Sequence, residues 1–69
     1  MKLAIEYKFD GKNSVDVVEV NPIEIKGINF LDIRVETVET DYTTANSVMF
    51  ALNNQLIDDL IEKLQSLKR

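Results

Sequence analysis

Apolar and polar side chains alternate along residues 2–9. Leu3, Ile5, Tyr7 and Phe9 fall on one side, and Lys2, Ala4, Glu6 and Lys8 on the other. A period of two sustained over that length predicts a half-buried strand. Asp10-Gly11-Lys12-Asn13 follows. Gly11 and Asn13 tolerate positive φ, and Asp-Gly between apolar runs predicts a hairpin turn. A second strand is expected at about 14–21, but its phase slips: Val15 and Val17 share one face, while Val18 and Val20 share the other. Either a bulge near Val17-Val18 resets the pattern, or both faces of this strand are covered. Asn21-Pro22 reads as its end, because proline cannot donate to a central ladder.

Ile23-Glu24-Ile25-Lys26 alternates briefly and fits a short edge strand, with Gly27 permitting a bend. Clear alternation resumes over about 30–39, where Leu31, Ile33 and Val35 oppose Asp32, Arg34 and Glu36. The polar stretch 39–46 reads as a connection. Val48, Phe50 and Leu52 then place a fourth strand at about 47–52, although Ala45, Val48, Met49 and Leu52 also fit a backward extension of the final helix. The Asn53-Asn54 pair favours a boundary there, since asparagine is a good N-cap and a poor interior helix residue. The helix is expected over about 53–68. Leu52 and Ile57 sit at staple positions, and Leu56, Ile57, Leu60, Ile61, Leu64 and Leu67 form one apolar stripe. Asp58 and Asp59 near one end, and Lys68 and Arg69 near the other, suit the helix dipole. Asp59 and Lys63 form a favourable i,i+4 pair.

These elements predict an α+β fold in one domain spanning 1–69. It is a three- to four-stranded antiparallel β-meander with the amphipathic C-terminal helix packed on one face, where Leu3, Ile5, Tyr7, Phe9, Leu31, Ile33, Val35, Val48, Phe50 and Leu52 offer a matching surface. With 69 residues and no cysteine, the chain has a thin stability margin and no disulfide to widen it. Association with another chain is the remaining common aid. The lack of cysteine fits a cytoplasmic protein. No early segment reads as a signal peptide, and no apolar run is long enough to span a bilayer, so no membrane partner is expected.

Twelve acidic and eight basic residues leave a net charge of −4, which disfavours direct binding to nucleic acid. The absence of histidine and cysteine removes the usual nucleophile–base pairs and zinc sites. Gly11 and Gly27 are too far apart for a phosphate loop. Glu36, Glu39 and Asp41, with neighbouring threonines, offer oxygen ligands without matching an EF-hand, and read as a solvated strand end. Asp58 and Glu62 share a helix face as any solvated pair would. Tyr7 and Phe9 alternate with lysines, but on opposite faces, so they do not make a base-stacking platform. No catalytic residue, metal site or cofactor is expected.

Ile23, Ile25, Ile28 and Phe30 have no obvious place in the core and form the candidate partner surface. The reading that follows is a small non-enzymatic interaction or regulatory module whose partner is a protein, first of all a second copy of itself. The composition, rich in Ile and Asn, suits a phage or mobile-element origin. The alternative is an acidic nucleic-acid mimic that inhibits a nucleic-acid-binding protein through Glu36, Glu39, Asp41, Asp58 and Asp59. Between Val35 and Ile61 these five acids meet no basic residue.

Overall fold

A computed structural model describes residues 1–69. Four strands, β1 (Lys2–Phe9), β2 (Lys12–Ile25), β3 (Ile28–Val38) and β4 (Thr43–Ala51), form one antiparallel sheet in the order β1-β2-β3-β4. One helix follows, α1 (Asn54–Gln65). The α+β meander with a C-terminal helix is the fold read from the sequence. Residues 43–51 are strand, not a backward extension of the helix.

Two tight turns set the register. Asp10 and Gly11 have φ of 52° and 77°, and Lys26 and Gly27 have φ of 52° and 79°. Positive φ at both central residues matches the right-handed twist of the flanking strands, which is why two-residue hairpins use this turn. Phe9 therefore pairs with Lys12, and Ile25 with Ile28. Lys12 and Asn13, expected in the turn, already belong to β2.

Residue pairing is unbroken along β2, from Lys12 through Glu19 against β1 and from Val15 through Ile25 against β3. There is no bulge at Val17-Val18; both faces of β2 carry valines. The strand also runs past Pro22, against expectation. Val20 N–H donates to the Met1 carbonyl, and the Met1 amino group donates to the Val20 carbonyl. Even-numbered residues of β2 thus hydrogen-bond toward β1. Pro22 has the same parity, but β1 has run out beside it, so its missing N–H falls on an open edge where none is needed.

Pairing places Leu3, Ile5, Tyr7, Phe9, Val18, Val20, Leu31, Ile33, Val35, Val48 and Phe50 on one side, the apolar face. The other, mixed face carries Glu19, Asn21, Asp32, Arg34 and Glu36 at its centre and apolar groups toward its ends.

The helix is placed differently from the expectation that it packs on its own sheet. No Cα of α1 comes within 8 Å of a Cα in any strand. Leu52 continues the β4 ladder by donating its N–H to the Asn29 carbonyl at 2.7 Å, and Asn53 stays extended at φ −126°, ψ 173°. The helix thus leaves from the β2–β3 hairpin end of the sheet. Asn53 caps it, its side chain accepting from Leu56 N–H at 2.8 Å. The helix closes at Ser66, short of Lys68 and Arg69, so only Lys63 lies in the last turn, and no acid lies in the first.

Candidate interaction surfaces

No hydrophobic residue of the chain is buried; the only buried residue is Ser14, at 4% exposure. The apolar face is open across β1 and β4, with Leu3 at 59% and Val48 at 55% exposure. The helix stripe is open as well. Leu56, Ile57 and Leu60 are half-buried, whereas Ile61, Leu64 and Leu67 are exposed. A folded chain of 7.9 kDa should expose about 4,400 Å², yet this one exposes 6049 Å². Its radius of gyration is 14.8 Å, against about 11 Å for a compact chain of this length. Apolar surface is thus laid out in two matching pieces, a sheet face and a helix stripe, whose backbones nowhere approach within 8 Å.

The candidate partner residues Ile23, Ile25, Ile28 and Phe30 do come together. Ile23 pairs with Phe30 and Ile25 with Ile28 across the β2–β3 hairpin, all four on the mixed face. Ala51 continues the row beside Phe30. Ile25 and Ile28 are well exposed, and Phe30 is half-buried. This cluster is a second apolar surface, at the end of the sheet from which the helix departs.

The five acids of the alternative reading are not brought together. Glu36 lies on the mixed face, Glu39 and Asp41 lie in the β3–β4 connection, and Asp58 and Asp59 lie on α1. The nine residues of β4 separate the connection from the start of the helix by about 26 Å at ordinary strand rise. No three carboxylates converge as a metal-binding group.

A polar corner of the apolar face went unmarked in the sequence. Asp16 Oδ1 accepts from Tyr7 Oη at 3.1 Å and from Thr37 Oγ1 at 2.8 Å. Asp16 and Thr37 are direct cross-strand partners. Loss of surrounding water raises the Tyr7 pKa above its usual 10.0; the Asp16 hydrogen bond and charge add to this, and Ser14 opposes it. Tyr42, in the β3–β4 connection, is also raised, first by hydrogen bonding to Glu39 and then by that carboxylate's charge. Tyr7, Phe9, Lys12, Ser14, Glu39 and Tyr42 border a shallow hollow of about 410 Å³. Only pairing register could have revealed this corner, since its members are far apart in the chain.

No helix is long and apolar enough to cross a membrane. Compared with protein-family models, curated proteins and solved structures, the chain matches none.

Proposed function

We propose that this chain is a small non-catalytic interaction module that works as a self-associated protein. The observation that carries the reading is the absence of any buried hydrophobic side chain in a chain whose sheet and helix each present a continuous apolar surface. Leaving both in water forgoes most of the driving force for folding, since burial contributes about 25 cal/mol per Å². A second copy supplies the missing cover. The excess of about 1,600 Å² per chain over the compact expectation corresponds to an interface of about 3,200 Å² when two copies hide it, which falls in the obligate homodimer range. The apolar face serves this association. The Ile23, Ile25, Ile28 and Phe30 cluster on the opposite side stays open for a different protein.

Sedimentation equilibrium on two variants tests this assignment. Val48 is more than half exposed in the single chain, so Val48→Asp costs an isolated sheet little. In a dimer built on the apolar face it buries an unpaired charge, which is strongly unfavourable. The expected result is loss of dimer for Val48→Asp and retention of dimer for Ile25→Asp. Retention by Val48→Asp together with loss by Ile25→Asp would move self-association to the mixed face.

A further inference from the structure

The helix stripe and the apolar face are both left open within the chain, and they are chemically alike: Leu and Ile on the helix, Val, Ile and Leu on the sheet. Their sizes also agree. Twelve helical residues extend about 18 Å, and four strands span about 14 Å centre to centre, so one helix is long enough to cross all four strands.

What keeps them apart within one chain is the two-residue link. Leu52 is tied to Asn29 by a backbone hydrogen bond, and Asn53 is extended while its side chain caps the helix. Only these two residues separate β4 from α1, and with the link in this conformation no Cα of α1 comes within 8 Å of a Cα in the sheet. Folding α1 back onto its own apolar face requires a rotation within this link, at Leu52 or Asn53. Placing α1 on a second copy keeps the link as it stands. A short hinge that favours an open arm is the usual route by which an element is exchanged between identical chains.

We infer that two copies exchange their helices, each α1 seating Leu56, Ile57, Leu60, Ile61 and Leu64 on the apolar face of the other copy's sheet. The inference rests on the self-association proposed above and adds to it which surfaces meet. Each copy gives a helix and receives one, so the contact is closed and stops at two chains.

An isotope-filtered nuclear Overhauser experiment on the full chain tests it. Labelled and unlabelled protein are mixed, unfolded and refolded together, so that half of the dimers are hybrids. The expected result is intermolecular cross-peaks between methyls of Leu56, Ile57 and Leu60 and methyls of Val18, Ile33 and Val48. A dimer whose helix-to-sheet peaks are all intramolecular overturns the exchange while leaving self-association standing. A dimer with intermolecular peaks only between one sheet and the other overturns it in favour of face-to-face packing. A monomer overturns both proposals. A second check lengthens the hinge: four Gly/Ser residues inserted between Leu52 and Asn53 free the helix to fold back, and the variant should shift toward monomer at equal concentration. An unchanged dimer would contradict the role given to the link.

Discussion

At the scale of single residues, polar groups rather than apolar ones hold defined positions. Asp16 gathers Tyr7 and Thr37 from the two neighbouring strands. A phenol whose pKa is raised on folding stabilises the fold fully below its ordinary value of 10.0, and that contribution is lost as pH rises through the raised value. The chain has two tyrosines and no tryptophan, so phenolate absorbance reports these two groups alone, and Tyr42→Phe or Tyr7→Phe leaves one of them to be followed by itself. Both should ionise above the ordinary range, and Asp16→Asn should lower the Tyr7 midpoint while leaving that of Tyr42 in place. A Tyr7 midpoint unmoved by Asp16→Asn would contradict the network. Asn53 is the other residue with a measurable share. Asn53→Ala removes the acceptor for Leu56 N–H and should cost about 1 kcal/mol in a urea titration. A stabilising change would mean that Asn53 behaves as an interior helix residue.

At the scale of elements, what can be read from the sequence depends on whether a signal is local. Strands β1 and β3 are legible because strict alternation needs only the strand itself, and both tight turns carry a glycine preceded by a charged residue. Strand β2 is longer than its sequence suggests. Proline ends a central strand, and only the length of β1 reveals that the stretch around Pro22 is an edge. The first half of β4 resembles a loop because Thr43, Thr44 and Asn46 are polar; their strand conformation comes from pairing with Val38, Thr37 and Val35, a non-local cause. The Ile23, Ile25, Ile28 and Phe30 cluster is legible as unplaced apolar residues, and the hairpin register makes it one surface. The amphipathic helix is legible in type and cap. Its stripe shows that a partner is needed, but periodicity does not say which chain provides it.

At the scale of the whole molecule, the sheet is a single open layer, whereas stable domains pack at least two layers around a core. The chain supplies both layers, as a sheet and a helix, and leaves them unjoined. The completion by a second copy proposed above would account for the excess surface, the long radius of gyration and the separation of helix from sheet together. It also couples folding to concentration, because the folded form is then the associated form. The direct test is the thermal unfolding midpoint measured across a hundredfold range of protein concentration. A core completed between two copies predicts a midpoint that rises steadily with concentration. A midpoint that stays constant over that range, with a cooperative transition, would contradict it.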